Sequence, residues 1–212
     1  MAEAGRVIAG SAKGIRLIAP GEGTRPISDR VKQTLFAILE PDLPGARVLD
    51  LFAGSGAGGI EALSRGADHA DFVERDASAA RVIGQNLVRA HVDEHARVHS
   101  RDVATFLREA QNAAAAATPA ARPYDVVLID PPYADTVAME TALGLLAANG
   151  ATLLAADAWV VAKHFWRTAP PPAIGLLASV RTRRFGETAL TFYRLAGAPA
   201  AEAAVEEEAE EA

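Results

Sequence analysis

Short apolar runs alternate with amphipathic stretches along most of this chain. Five of the runs have the length and the β-branched or aromatic content of buried strands, at residues 48–52, 70–73, 96–99, 125–129 and 159–165. Helical spacing is found between them, up to about residue 65, over 77–91, from 102 onward, and over about 136–155 with a break near Asn149-Gly150. Strands and helices that alternate in this way predict an α/β fold, doubly wound around a mostly parallel sheet.

The N-terminal part departs from this alternation. Residues 6–9 and 15–18 predict two short strands around the turn residues 10–14. Ser28 is a good N-cap for a helix over residues 29–39. We therefore predict a small extension, made of a β-hairpin and one helix, in front of the α/β unit.

The C-terminal part predicts a second hairpin. Two extended runs, 174–185 and 188–195, meet at Gly186-Glu187 and should form antiparallel strands at the end of the sheet. The sequence beyond about Gly197 consists mainly of alanine and glutamate. The predicted organisation is an extension over residues 1–40, an α/β domain over 41–196 and an acidic tail over 197–212.

The composition excludes several classes of protein. The chain has 212 residues and no cysteine, which excludes disulfides and thiolate metal sites and fits a reducing cytoplasm. Its five histidines lack the spacing of metal ligands, so we predict no metal site. No apolar run approaches the roughly 18 residues that span a bilayer, and the first twenty residues lack the continuous apolar stretch of a secretory signal. We predict a cytoplasmic protein without a membrane partner.

Charge is unevenly distributed along the chain. The last twelve residues hold six glutamates, so the net charge of −6 belongs to the tail, and the body has 21 acidic and 21 basic side chains. We interpret the tail as a solvated segment, either disordered or a frayed helix. Residues 5–36 contain six Lys/Arg against two acids, and residues 159–184 contain five Lys/Arg and no acid. These two basic segments favour a polyanionic partner, with ordinary variation in surface charge as the alternative.

A glycine-rich turn, Asp50-Leu-Phe-Ala-Gly-Ser-Gly56, follows the first strand of the α/β domain. Glycine at positions 54 and 56 lets the backbone approach a ligand closely. Glu74 ends the next strand, where a carboxylate can accept both hydroxyls of a ribose. Because ligands of doubly wound sheets lie beyond the carboxyl ends of the strands, these residues predict a site for a nucleoside-bearing cofactor.

Two further acids, Asp50 and Asp102, bear on the type of cofactor. The spacing Gly54-Ser-Gly-Ala-Gly-Gly59 does not cleanly match the pattern of dinucleotide sites. Asp50 could meet the amino group of a methionine-like moiety, and Asp102, just past the third strand, could meet an adenine amino group. An acid-rich pocket suits the cationic sulfonium of S-adenosylmethionine better than a pyrophosphate. A strand-end cap for Asp50 and a helix N-cap for Asp102 are structural alternatives, and both kinds of role can coexist.

A second motif, Asp130-Pro-Pro-Tyr133, follows the strand at residues 125–129. The exocyclic amine of a base is a weak nucleophile because its lone pair is conjugated with the ring. Asp130 and a carbonyl near Pro131 could accept its two N–H bonds while Tyr133 stacks on the base, and methyl transfer then needs chiefly positioning and electrostatics. A base within RNA or DNA would first have to leave its stack. The structural alternative is a rigid turn at the start of a helix.

Several segments together resemble one family, the bacterial 16S ribosomal RNA guanine-N2 methyltransferases named for guanine 966. They are residues 6–10, 13–14, 24–26, 28–31, 35–36, 48–56, 61–67, 130–133, 185–188, 190 and 192–193. The likeness spans about residues 5–195, and its opening block and final hairpin are the specific parts. The two central motifs occur in many amino methyltransferases.

The resemblance implies a Rossmann-like methyltransferase domain over residues 41–196, with S-adenosylmethionine as the methyl donor. It implies a guanine of 16S ribosomal RNA as substrate, in a partly assembled small subunit, and we expect a monomeric enzyme. The expected catalytic residues are Asp130, Pro131, Pro132 and Tyr133. The expected cofactor-binding residues are Asp50, Phe52, Ala53, Gly54, Gly56, Glu74, Arg75, Asp102 and Val103. The expected RNA-binding residues are Arg6, Lys13, Arg16, Arg25, Arg30, Lys163 and Arg183.

The chain departs from the family at Lys163, where members commonly carry a glutamate. Three other functions also fit parts of the sequence. An amino methyltransferase acting on adenine N6 of DNA, or on a protein amide, would use the same two central motifs. An NAD-dependent oxidoreductase explains the glycine turn and Glu74 but leaves the Asp130 motif without a role. The third is an inactive RNA-binding or assembly factor, against which the intact motifs argue. We expect Trp159 and Trp166 to pack at the fifth strand rather than stack on RNA.

Overall fold

A computed structural model of the protein describes residues 3–21, 27–115, 122–133, 135–148 and 150–196. The strands are β1 (Glu3–Arg6), β2 (Arg16–Ile18), β3 (Arg47–Leu51), β4 (His69–Glu74), β5 (Ala96–Ser100), β6 (Tyr124–Ile129), β7 (Leu154–Phe165), β8 (Ala173–Ile174), β9 (Leu177–Phe185) and β10 (Thr188–Leu195). The helices are α1 (Asp29–Leu39), α2 (Ala57–Ser64), α3 (Ala77–Ala90), α4 (Val103–Ala115), α5 (Thr136–Ala148) and α6 (Gly150–Leu153). None of these helices is long and apolar enough to cross a bilayer. The predicted acidic tail lies outside the described residues.

Eight of the strands form one sheet in the order β5-β4-β3-β6-β7-β10-β9-β8. The first five in this order pair in parallel, and β10 pairs antiparallel with both β7 and β9. The sheet therefore confirms the predicted fold, with a parallel α/β core and an antiparallel C-terminal hairpin. That hairpin turns at Gly186, whose φ of 59° lies in the left-handed region that glycine tolerates.

The strands are buried on both faces, as their continuous apolar sequences require. Successive residues of a strand point to opposite faces. Val48 accordingly lies in the apolar cluster that includes residues of α1, α2 and α3, and the next residue, Leu49, lies in the cluster that includes residues of α4 and α5. Helices thus cover both faces of the sheet, which is the doubly wound arrangement.

The order of the strands reverses between β3 and β6. The chain runs outward from β3 through β4 to β5, and then returns to β6 on the other side of β3. At this switch point Leu51 pairs with Ile129, so the carboxyl ends of the two strands lie side by side. The glycine turn after β3 and the Asp130 motif after β6 therefore open into one crevice.

The first strand lies earlier in the chain than predicted. It covers Glu3–Arg6 rather than residues 6–9, because the backbone N–H groups of Ile8 and Ala9 donate to the carboxylate of Glu61 in α2, at 2.8 and 3.0 Å. These two residues therefore dock the extension onto the α/β domain, and they do not continue the β1–β2 ladder.

A buried ionic group holds this docking in place. Glu61 is fully buried and also accepts from Arg65 Nε at 2.9 Å. The Lys32 ammonium, equally buried, lies 3.9 Å from Glu61 and donates to the carbonyl of Arg6. Burial lowers the pKa of Lys32, and the charge of Glu61 acts against this shift. Gly10 packs so closely against α2 that a Cβ there would lie 1.7 Å from the Ser64 carbonyl oxygen.

The remaining differences are in element boundaries. The predicted helical stretch over 136–155 is two helices, α5 and α6, which meet at the expected break near Asn149-Gly150. β7 begins at Leu154, five residues earlier than predicted, since the segment Leu154–Ala158 is already extended beside the start of β6. Ser28 caps α1 as predicted, with its side chain accepting from Val31 N.

Candidate active site

A cavity of about 580 Å³ opens at the switch point of the sheet. All four predicted catalytic residues line it. So do the predicted cofactor-binding residues apart from Gly56, namely Asp50, Phe52, Ala53, Gly54, Glu74, Arg75, Asp102 and Val103. The fold therefore brings the two sequence motifs to one cavity, although nearly eighty residues separate them along the chain.

Asp50 joins the end of β3 to the first turn of α2. Its Oδ2 accepts from the N–H of Gly59 at 2.8 Å, and the residue is only 4% exposed. Burial raises the pKa of Asp50 to about 7, against the effect of the Gly59 hydrogen bond, and the charges of Asp130 and Glu74 raise it further. Asp50 therefore has the capping role that the sequence left open, and it remains a candidate ligand of a cationic group.

The glycine turn follows a path that side chains would obstruct. Gly54 and Gly56 have φ of 54° and 78°, in the left-handed region, and Gly56 is the N-cap of α2. A Cβ on Gly58 would lie 2.9 Å from Leu128 Cδ1 and 3.2 Å from Asp50 Oδ2. Phe52 also has a positive φ of 60° without being glycine. Such conformations concentrate at ligand sites, where surrounding structure holds them.

Glu74 ties the two loops at the edge of the cavity together. Its Oε2 accepts from Gly54 N and its Oε1 from Asp76 N, both at 2.9 Å. Each carboxylate oxygen has a second lone pair, so Glu74 can still accept hydroxyl groups from a ligand. Asp102 likewise caps α4, with Oδ1 accepting from Thr105 N at 3.0 Å, and this confirms the N-cap alternative. Its ligand role stays a prediction.

The catalytic motif is held by contacts that the sequence did not reveal. The hydroxyl of Tyr133 forms a 2.6 Å hydrogen bond with Thr188 Oγ1 at the start of β10. The ammonium of Lys163 lies 2.5 Å from Asp130 Oδ1 and 4.9 Å from the centroid of the Tyr133 ring. Burial raises the pKa of Asp130, and the charge and hydrogen bond of Lys163 oppose this effect. Lys163, expected to bind RNA, thus contacts the predicted catalytic carboxylate inside the cavity.

The extension also contributes to the cavity, which sequence reasoning missed. Pro20, Gly21, Ile27 and Leu35 line it. Asn86 of α3 is fully buried and fixes the extension to the glycine turn, since its Nδ2 donates to the carbonyls of Ile18 and Ser55, each at 2.9 Å. A local pattern could not reveal this role, because all of these hydrogen bonds go to the backbone of distant segments.

The predicted RNA-binding residues are dispersed over the molecule. Arg6 pairs with Asp29 at 3.1 Å and Arg16 with Glu3 at 2.9 Å, both on the exposed side of the extension. The other members are Lys13 and Arg30, which are exposed, Arg183, which is half-buried on β9, and Arg25, which lies outside the described residues. Their contact with RNA stays a prediction.

The two tryptophans differ. Trp159 packs edge-on against Phe192 with ring centroids 5.9 Å apart, as expected. Trp166, just beyond β7, is half-buried, and the guanidinium of Arg184 stacks on its ring at 3.6 Å from the centroid. Its neighbour Phe165 lies 6.5 Å from the Tyr133 ring, so aromatic side chains lead from the catalytic motif to a basic surface.

Comparison with known proteins identifies the family. Residues 5–194 match the family model described as conserved hypothetical protein 95. The Bacillus subtilis protein YlbH, provisionally named an rRNA methyltransferase, is 37% identical over 91% of this chain and 100% of its own length. Ribosomal RNA small subunit methyltransferase D of Haemophilus influenzae is 40% identical over 68% of this chain and 71% of its own length.

A solved structure gives the same result. The Escherichia coli protein yhhF, provisionally named a methyltransferase, superimposes with a TM-score of 0.74 and 31% identity, covering 90% of this chain and 98% of that one. The family model covers most of the chain, and the relatives align over two thirds or more of their own lengths. The chain therefore belongs to the conserved hypothetical protein 95 family, which confirms its resemblance to the 16S ribosomal RNA methyltransferases.

Proposed function

We propose that this protein transfers a methyl group from S-adenosylmethionine to the exocyclic N2 amine of a guanine in 16S ribosomal RNA. The observation that carries the proposal is the single cavity shared by the glycine turn and the Asp130-Pro-Pro-Tyr133 motif. Its support from relatives is the 40% identity to a protein named ribosomal RNA small subunit methyltransferase D. Methyl transfer to an amine gives both halves of the cavity a role, which hydride transfer would not.

The lining of the cavity suits the methyl donor. Asp50, Glu74 and Asp102 make the cofactor end acidic, which favours a cationic sulfonium and groups that donate hydrogen bonds. In this proposal Glu74 holds the ribose hydroxyls, Asp102 the adenine amino group and Asp50 the amino group of the methionine moiety. When bound, S-adenosylmethionine supplies an electrophilic methyl group.

The second half of the cavity would hold the base. An oxygen of Asp130 and a backbone carbonyl of the proline turn accept the two N–H bonds of the amine, and the Tyr133 ring, fixed by Thr188, stacks on the base. The N–H of Asp130 donates to the carbonyl of Leu51 at 3.4 Å, which couples the position of the carboxylate to the end of β3. Once the nitrogen is methylated, Asp130 can take up the proton that it loses.

The rest of the substrate would lie on the basic surfaces. We place RNA on the extension of residues 1–40 and on the surface around Trp166, where Arg167 and Arg184 contact the indole ring, since aromatic rings and guanidinium groups together suit unstacked nucleotides. Residues 41–196 form the methyltransferase domain in this proposal. A monomeric enzyme acting in the cytoplasm on a partly assembled small subunit completes it.

The central test replaces Asp130. We expect Asp130→Ala to lower kcat by about 10² to 10³-fold, the usual effect of removing one group that stabilises a transition state, and to change the Kd of S-adenosylmethionine by less than about threefold. The measurements are transfer of labelled methyl to undermethylated small subunits and calorimetry with the cofactor. Asp93→Ala, which removes an exposed acid from a surface turn, is the matched control.

The same assay separates the alternatives. Labelled methyl is offered with small subunits, with DNA and with protein alone, and modified RNA is digested and mapped by mass spectrometry. N2-methylguanine in 16S RNA is the expected product. Label found only in DNA or only in protein would overturn the RNA substrate, and an unchanged rate in Asp130→Ala would show that the amine is held elsewhere.

A further inference from the structure

Lys163 occupies one oxygen of the carboxylate to which the proposed function assigns the amine. Its Nζ lies 2.5 Å from Asp130 Oδ1. The side chain of Lys163 is 11% exposed and that of Asp130 is 25% exposed, so the pair is largely shielded from solvent. Both residues line the proposed active-site cavity. The pair is therefore part of the site, unlike the exposed ion pairs of the extension.

The register of the sheet brings these residues together. Strands β6 and β7 are parallel, and Ile129 pairs with Ala162. The next residue on each strand is Asp130 on one side and Lys163 on the other, so the two side chains meet where β6 ends. The ring of Tyr133 flanks the ammonium at 4.9 Å, a distance at which a cation is attracted to an aromatic face. Lys163 is thus confined between a carboxylate and a ring.

We propose that Lys163 is a positioning residue for Asp130, with its ammonium holding Oδ1 and keeping the carboxylate charged while Oδ2 accepts the substrate amine. The inference rests on the proposed function and adds the group that prepares its central carboxylate. A carboxylate has about four acceptor sites on two oxygens, so the ion pair and the amine can be accommodated together. The contact also fixes the rotation of the carboxylate, which an exposed cation would not do.

The electrostatic consequence has a definite sign. Burial favours the neutral acid and raises the pKa of Asp130, whereas Lys163 favours the anion. Removing the positive charge should therefore raise the pKa of Asp130 further and leave more of it protonated near neutral pH. A protonated Asp130 is a poorer acceptor for the amine. The titratable and charged side chains that line the cavity with Asp130 are Asp50, Glu74, Arg75, Asp76, Asp102, Tyr133, Asp135 and Lys163.

The experiment compares Lys163→Met, which removes the charge at similar volume, with Lys163→Arg, which keeps it. Arg108→Met, on the exposed side of α4, is the control for loss of one positive charge. Asp130 is titrated by carbon NMR of protein labelled at the aspartate carboxyl groups, with Asp130→Asn assigning its signal. The pH dependence of kcat is then measured with the RNA substrate between pH 5.5 and 9.5.

In Lys163→Met we expect the midpoint of the Asp130 titration to rise by about 1 to 3 pH units, as for loss of a close opposite charge. We expect kcat to fall by about 10-fold or more at pH 6.5 and by less than about threefold at pH 9.5, where the acid is ionised again. Lys163→Arg should restore the acid limb of the profile, and Arg108→Met should leave it unchanged. A purely structural role would lower kcat equally at every pH.

Two results would overturn the inference. One is an Asp130 titration that is the same in Lys163→Met and in the unmodified protein. The other is a loss of kcat in Lys163→Met that does not depend on pH. Thermal melting checks that each variant is folded, and Lys163→Gln replaces Lys163→Met if the latter is not. Because the NMR titration needs no substrate, it tests Lys163 even if RNA proves not to be methylated, and that result would count against the proposed function alone.

Discussion

Asp50 should make the protein less stable when it is ionised. It is 4% exposed, and burial raises its pKa from 3.8 to about 7. Between these two values the native state binds a proton that the unfolded chain has released, so stability falls as pH rises through this window. The penalty is absent below about pH 4 and complete above about pH 7. A difference of about three pH units, at 1.36 kcal/mol each, corresponds to about 4 kcal/mol.

The perturbation that isolates this term is Asp50→Asn. Asparagine has nearly the same shape, stays neutral at every pH, and its amide oxygen can accept from the N–H of Gly59 as Asp50 Oδ2 does. We therefore expect the variant to match the unmodified protein at pH 4 and to exceed it by about 4 kcal/mol at pH 8. For a chain of this size, that gain raises the Tm by roughly 8 to 16 °C.

The assay is urea unfolding of both proteins, without cofactor, at intervals from pH 4 to pH 8, with Asp93→Asn as the exposed control. A stability difference that stays constant across this range would refute the reasoning, because it would mean that Asp50 does not titrate inside the window. The same variant should bind S-adenosylmethionine more weakly if Asp50 holds its amino group. Gain of stability with loss of binding is the trade-off expected of a functional buried acid.

Two further substitutions test buried charges that support the site. Glu61→Ala should cost about 3 to 5 kcal/mol of unfolding free energy, because it leaves the Lys32 ammonium buried without its carboxylate; urea unfolding measures this, Glu94→Ala is the exposed control, and a loss below about 1 kcal/mol would contradict the docking role. Asp71 is 3% exposed at its side chain, and despite burial its hydrogen bonds from His99 and Arg47 lower its pKa. Asp71→Asn should therefore destabilise the protein at pH 7 by about 2 to 4 kcal/mol, and this cost should shrink as pH falls below 3.8, the ordinary pKa of the group. A cost in Asp71→Asn that is equal at pH 7 and pH 3 would show that the charge of Asp71 is not responsible.

The parts of the site that could be predicted are those encoded by local chemistry. The turn after β3 needs glycine because its backbone enters the left-handed region at Gly54 and Gly56. The Asp130 motif combines an acid, two prolines and a ring within four residues. Both patterns are visible in the sequence, and the alternation of strands and helices places both at the carboxyl ends of parallel strands.

The first strand shows why local chemistry was not enough elsewhere. Residues 6–9 have the apolar content of a strand, but strand formation also needs a partner for each backbone N–H. Ile8 and Ala9 find that partner in the carboxylate of Glu61, more than fifty residues away. No pattern within the segment distinguishes a neighbouring strand from a helix side chain as the acceptor.

By itself, the sequence determined the doubly wound fold, the terminal hairpins and the two motifs that meet at the cavity, because apolar periodicity, glycine and proline act over a few residues. Only the tertiary structure decided which side chains support those motifs. Lys163 meets Asp130 across 33 positions, and Asn86 meets Ile18 across 68. Such contacts depend on strand order and register, since one residue of slippage would turn Lys163 to the opposite face of the sheet.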